Sequence, residues 1–239
     1  MMKERSVKYL LIILAATTAI SLIFKGPIPT WLKWYDPHMW LGLSDWGMHK
    51  YFIWQIATYI LLPTPDADAS LMFLFNTGFT LYLLWTIGKT LTYQKSLRDF
   101  WLLFLGSGIF GGACAALTLA FTHTTGHLAG WTPALYGLLM GWMLANQHGR
   151  VLVFFAIPMP IKWVILGAAA VTLYLDVAAG LYLQFIASLT AILFGYLYAI
   201  IAWEAHSPFA RLRSFERFLH RLRGKKTKIY DFEVYHDIP

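Results

Sequence analysis

The recurrence of long apolar runs limits this chain more than any other feature. A helix needs roughly 20 mostly apolar residues to cross the hydrocarbon core of a bilayer. Six stretches meet or approach that length: Val7 to Phe24, Ala69 to Ile87, Phe100 to Thr122, Pro133 to Asn146, Trp163 to Leu175 and Gly180 to Trp203. The fourth and fifth are short. The fifth borrows residues from "VLVFFAIPMPIKW", whose two prolines predict a re-entrant or interfacial approach to the helix. Composition agrees, with 58% hydrophobic and only 13% charged residues, about half the charge of an ordinary soluble domain. The expected fold is all-α: a polytopic membrane protein built as a six-transmembrane-helix bundle, with the lipid bilayer as its first partner.

The first run follows Lys3 and Arg5, as in a signal peptide. No small-x-small cleavage site precedes polar sequence, and further spans follow, so it reads as a retained helix. Lysine and arginine placement sets orientation. Sixteen of these residues fall on one side and three (Lys25, Lys33 and Lys50) on the other. This puts both termini in the cytoplasm, and the expected location is the bacterial inner (plasma) membrane. The net charge of +7 resides in inter-helix segments and the C-terminal tail, a distribution that argues against nucleic acid. The single cysteine, Cys114, excludes an intrachain disulfide framework.

Between the first two spans, "TWLKWYDPHMWLGLSDWGMHKYFIWQ" holds five tryptophans among prolines, glycines and a few charges. Tryptophan and tyrosine favour the headgroup level, so this reads as a folded, Trp-rich interfacial first loop. The chain then divides into residues 1–206, the transmembrane domain, and 207–239, a cytoplasmic tail. In the tail, Ser207 and Pro208 suit a helix start. Phe209, Leu212, Phe215, Leu219 and Leu222 share a face ringed by arginines. That pattern predicts an amphipathic helix in contact with anionic lipid, or a plain basic anchor.

Small residues recur at helical spacing in the fourth span (Gly130, Ala134, Gly137, Gly141) and the sixth (Ala187, Ala191, Gly195). Lipid provides no hydrophobic force between helices, so close association depends on small residues that let backbones touch. The fourth and sixth helices are therefore expected to cross tightly, with Thr132 near one end and Ser188 and Thr190 facing the contact. "GSGIFGGACAA" gives the third span a similar surface.

Taken in order, "YFIWQIATYILL", "LMFLFNTGFTLYLLWTIG", "LLFLGSGIFGGACA", "GWTPALYGLLMGWMLANQ", "VLVFFAIPMPIKWVI" and "SLTAILFGYLYA" resemble the rhomboid family of intramembrane serine proteases over about residues 50 to 200. The resemblance implies a six-span core with both termini inside. It also implies a serine nucleophile in Gly-x-Ser-Gly on the fourth helix and a histidine base on the sixth. A histidine and an asparagine four residues apart on the second helix would help hold the oxyanion.

Carried over residue by residue, the nucleophile position is Thr132, within "GWTP" (Gly130, Trp131, Thr132, Pro133), and the base position is Ser188. The oxyanion histidine position is Met72, while Asn76 matches. A glutamate that often follows the second helix corresponds to Thr92. Pro133 also removes a backbone N–H beside the nucleophile. A nucleophile without its base loses several powers of ten in rate.

The resemblance therefore implies a pseudoprotease-like member that binds transmembrane segments of client proteins without cleaving them. Gly130, Trp131, Thr132, Ser188 and Asn76 would be its binding residues, with no metal and no cofactor. The alternative is an intramembrane serine/threonine-type endopeptidase with Thr132 as nucleophile. A base would then come from His127 or His123 in the preceding loop, with Asp176 placed in the last outer loop. Transport of small molecules or ions requires ionisable groups within the spans, and these spans are nearly free of them.

Overall fold

The computed structural model describes residues 2–25, 36–64, 70–122, 126–147, 149–153, 157–203 and 205. All six predicted spans are helices. They are α1 (Met2–Lys25), α5 (Leu71–Gln94), α6 (Leu97–Thr122), α7 (Thr132–Ala145), α8 (Ile161–Ala178) and α9 (Tyr182–Trp203). Three short helices lie between α1 and α5: α2 (Pro37–Leu41), α3 (Asp45–His49) and α4 (Gln55–Thr58). A 3-10 turn at Tyr59–Leu61 follows them. Five of the six long helices have the length and composition to cross a membrane. The sixth, α7, has 14 residues, which at 1.5 Å per residue reach about 21 Å, short of the ~30 Å hydrocarbon core. It can be short because α6, α8 and α9 all pack against it. Of its 14 residues, nine are buried. The molecule is an all-α membrane bundle organised around this helix.

The expected crossing of α7 with α9 is the most extensive helix contact in the bundle. A Cβ on Gly195 would collide with the Gly137 carbonyl, and one on Gly137 would sit 3.0 Å from the Ala191 carbonyl oxygen. The small-residue stripe is, however, shared between two neighbours. Gly141 faces Leu103 and Ala134 faces Gly108, both on α6. The small surface of α6 also reaches α9, since a Cβ on Gly111 would lie 2.7 Å from the Ala187 carbonyl oxygen. Gly130 takes no part in the crossing. It precedes α7 at φ +129°, where glycine is favoured, and donates its N–H to the Tyr59 carbonyl at 3.1 Å.

One further expectation needs correction, and one segment gains a feature that the apolar pattern did not predict. Around the start of "VLVFFAIPMPIKW", β3 (Arg150–Val153) and β4 (Ile157–Pro160) pair as an antiparallel ribbon ahead of α8. Prolines at positions 158 and 160 lie on the edge of this two-stranded ribbon, where missing N–H groups are tolerated. The last helix begins at Tyr182 rather than Gly180, because residues 176–181 close α8 with a Schellman motif. Leu181 donates its N–H to the Asp176 carbonyl at 2.8 Å and Gly180 to that of Val177 at 3.0 Å, with Gly180 at φ +73°.

The first loop is folded where it is described. Gln55 is fully buried at its centre, donating to the Met39 carbonyl at 3.1 Å and accepting from the Ser44 N–H at 3.3 Å. Phe52 stacks on Trp40 and Trp54, with Trp46 edge-on. Tyr59 pins the loop to the bundle by donating its hydroxyl to the Gly108 carbonyl at 2.7 Å. Thr17 of α1 donates its hydroxyl to the Leu61 carbonyl. A two-residue ladder pairs β1 (Leu43–Ser44) with β2 (His127–Leu128). Trp31, Trp34, His123 and the tail from Ser207, including Phe209 to Leu222, lie outside the described residues.

Candidate functional site

The end of the bundle that carries the first loop gathers the start of α5, the start of α7 and the end of α8. Between them lies a cavity of about 590 Å³. Thr132 and Tyr136, one turn apart on α7, both line it. Asn76 and Thr80 line it from α5 in the same i, i+4 relation, and Thr172 and Asp176 from α8. His127 and Gln184 contribute from β2 and α9. The Tyr136 hydroxyl and the Thr172 hydroxyl are hydrogen-bonded to each other, which ties α7 to α8 inside the cavity wall. The lining thus combines hydroxyl and amide groups, one imidazole and one carboxylate with a few apolar side chains, and among the described residues contains no lysine or arginine.

Local structure explains why Thr132 is presented here. Gly130 folds back onto Tyr59, and Trp131 sits at the helix N-cap with φ −80° and ψ 0°, its ring buried in the core. Thr132 is the first residue of α7. Pro133 follows within the first turn, where its missing N–H breaks no intrahelical bond. No side chain caps this end.

The sequence-derived candidates separate into two groups. Thr132 and Asn76 meet in the cavity. Met72, one turn before Asn76, is 76% exposed on the outer face of α5 and does not line it. Gly130 and Trp131 support the start of α7 from behind. Ser188 is fully buried on α9, makes no hydrogen bond through its Oγ, and lines neither this cavity nor the neighbouring one of about 480 Å³. Thr190 bonds back to the Ile186 carbonyl of its own helix at 2.7 Å. Thr92 lies within the last turn of α5, buried and bonded to the Gly88 carbonyl at 2.8 Å.

His127 lines the cavity with Thr132 and places Nε2 3.0 Å from the His38 carbonyl oxygen. A carbonyl only accepts, so Nε2 carries the proton and the basic lone pair is on Nδ1. Among the described residues, no three His, Cys, Asp or Glu side chains come together as a metal-binding group.

Asp176, expected in the last outer loop, is instead in the last turn of α8, 8% exposed, with its Oδ2 lacking any hydrogen-bond partner among the described residues. The signal available in the sequence was a lone acidic residue just before a small-residue turn, "LYLDVAAG". It lies four residues after Thr172, hence on the same helix face.

The rhomboid domain family matches residues 69–205, more than half of the chain. No curated protein matches it.

Proposed function

The chain belongs to the rhomboid family, and on that premise we propose that it binds transmembrane segments of client proteins without cutting them. The supporting observation is the separation of the two positions matched to the family's dyad. Thr132 faces the polar cavity, whereas Ser188 is sealed in the core with no partner. A serine hydroxyl at position 188 is no general base near neutral pH, and a nucleophile needs a base within hydrogen-bond reach. What remains is a hydroxyl- and amide-lined recess at one end of a bundle. There, a client helix carrying polar groups finds hydrogen-bond partners that lipid lacks.

The proposal includes both termini in the cytoplasm of a bacterial inner membrane, on the lysine and arginine asymmetry. It treats residues 207–239 as a separate basic tail on anionic lipid. Deleting that tail is expected to weaken binding to anionic vesicles and leave client binding unchanged.

The test uses the full-length protein in proteoliposomes with a fluorescent single-span peptide, beside Thr132→Ala. The expected outcome is binding by both and cleavage by neither. Cleavage by the wild type that disappears in Thr132→Ala would overturn the reading.

A second reading has one observation in its favour. His127 and Thr132 share a cavity and the Nδ1 of His127 is the basic atom, which suits a threonine-type endopeptidase. Cleavage lost in both Thr132→Ala and His127→Ala would establish it.

A further inference from the structure

We propose that Asp176 makes the cavity a subsite for a cationic side chain, a lysine or arginine carried near the end of the client's transmembrane segment. The inference rests on the client-binding reading above and specifies the chemistry of the client. A carboxylate removed from water without a partner is costly, and such groups are paired or hydrogen-bonded in stable proteins. Asp176 is 8% exposed, yet its Oδ2 has no partner among the described residues. The groups that share the cavity with it, among them Thr132, Tyr136, Thr172 and Asn76, all carry oxygen acceptors. One negative charge among neutral acceptors is the complement of an ammonium or guanidinium group.

Other ligands fit less well. A divalent cation needs several oxygen ligands and usually more than one carboxylate, and among the described residues Asp176 is the only acidic one lining the cavity. The ammonium of a lipid headgroup brings a phosphate with it, and among the described residues no lysine or arginine lines the cavity to receive that phosphate. A lysine or arginine on a membrane-spanning segment brings no second charge. It is poorly tolerated in hydrocarbon and extends toward the end of its helix. Asp176 lies in the last turn of α8, at the bundle end where such a side chain arrives.

The experiment measures affinity of the reconstituted full-length protein for two fluorescent single-span peptides. The peptides are identical except for lysine or glutamine three residues inside the end that meets the first loop. Phosphatidylcholine vesicles are the reference bilayer. The wild type is expected to bind the lysine peptide roughly ten- to a hundredfold more tightly, the range of a charge-assisted contact. Asp176→Asn is expected to remove this preference, and its unfolding in mixed micelles, compared with that of the wild type, reports that the variant is folded. Asp176→Glu is expected to keep part of the preference.

Equal affinity of the wild type for both peptides overturns the cationic subsite and leaves the client-binding reading standing. No binding of either peptide overturns both. Loss of the lysine preference when phosphatidylethanolamine replaces phosphatidylcholine would assign the subsite to a lipid ammonium and overturn its assignment to the client.

Discussion

Gly195→Ala tests the packing on which the whole bundle depends. The added methyl would collide with the Gly137 carbonyl oxygen and lie 3.0 Å from that residue's carbonyl carbon and 3.1 Å from its Cα. All three atoms are backbone, so no side chain can swing aside. Carbon atoms in good contact sit about 3.5–4.0 Å apart, so α9 must retreat from α7 by roughly 0.5–1 Å. A gap of that size forfeits a quarter to a half of each contact's attraction, along the most extensive interface in the molecule. Overpacking of this kind costs about 1–3 kcal/mol, against a gain of about 0.5–1 kcal/mol from replacing a helical glycine by alanine. The net expectation is destabilisation by up to about 2.5 kcal/mol. Gly167→Ala on α8 is the matched control: nothing lies within 4 Å of its Cβ position, so only the favourable term of about 0.5–1 kcal/mol remains. The assay is equilibrium unfolding in mixed micelles by a rising fraction of denaturing detergent. Opposite signs at the two glycines are expected. If Gly195→Ala proves as stable as Gly167→Ala, the close crossing of α7 and α9 is wrong.

Three other perturbations follow from particular contacts. Ser188→Ala removes a buried hydroxyl with no partner, so the same unfolding assay should show no loss and up to about 1 kcal/mol of gain. Client binding should be unchanged. Tyr59→Phe removes the hydrogen bond to Gly108, with an expected loss of about 0.5–1.5 kcal/mol at neutral pH. Burial also pushes the Tyr59 phenol above its usual value. Its stabilisation is therefore complete below about pH 10, the unfolded-state value. It is lost as the pH rises further, because the unfolded chain ionises first. Unfolding curves at pH 8 and pH 11 should show a steeper alkaline loss in the wild type than in Tyr59→Phe. Gly180→Ala forces a side chain into φ +73°. It should cost about 1–2 kcal/mol from backbone strain, since no atom lies within 4 Å of the new methyl.

Helix existence was legible because lipid imposes one simple rule, an apolar run of sufficient length. The six runs and the six long helices correspond. The α7–α9 crossing was legible for a related reason: Gly137, Ala191 and Gly195 announce close backbone approach whatever the partner. Where reading failed, local chemistry outweighed the apolar pattern. Gly180 looked like the beginning of a span because its neighbours are apolar, but its positive φ makes it the end of the previous helix. The prolines of "FFAIPMPIKW" signalled a break in helix without signalling that the broken segment would pair with residues 150–153. Gly130 matched the helical spacing of the small stripe by coincidence, and is needed instead for its turn against Tyr59.

The site was only half legible. Thr132 and Asn76 were found because the family resemblance points to them, and both do line the cavity. The place of Asp176 was not found, because periodicity shows which face a residue occupies but not what stands opposite. Its environment is made by α5 and α7, both distant in sequence, together with the nearby start of α9. Trp131, carried by the same motif, is buried and packs in the core beside the start of α7 rather than lining the cavity.

The division between scaffold and site has a consequence for how family membership is used. The contacts that hold α6, α7 and α9 together run through Ser107, Gly111, Gly137, Ala191 and Gly195, and the first loop is held by Tyr59, Gln55 and Thr17. None of them uses the side chain of Thr132, which faces a cavity, or the Ser188 hydroxyl, which bonds to nothing. The Thr132 side chain can therefore change without disturbing the packing that a family match detects, and Ser188 can lose its hydroxyl without losing a hydrogen bond. Membership in the rhomboid family thus carries the bundle, and any activity has to be argued from the cavity itself. There the carboxylate of Asp176 lies beside the hydroxyls of Thr132, Tyr136 and Thr172.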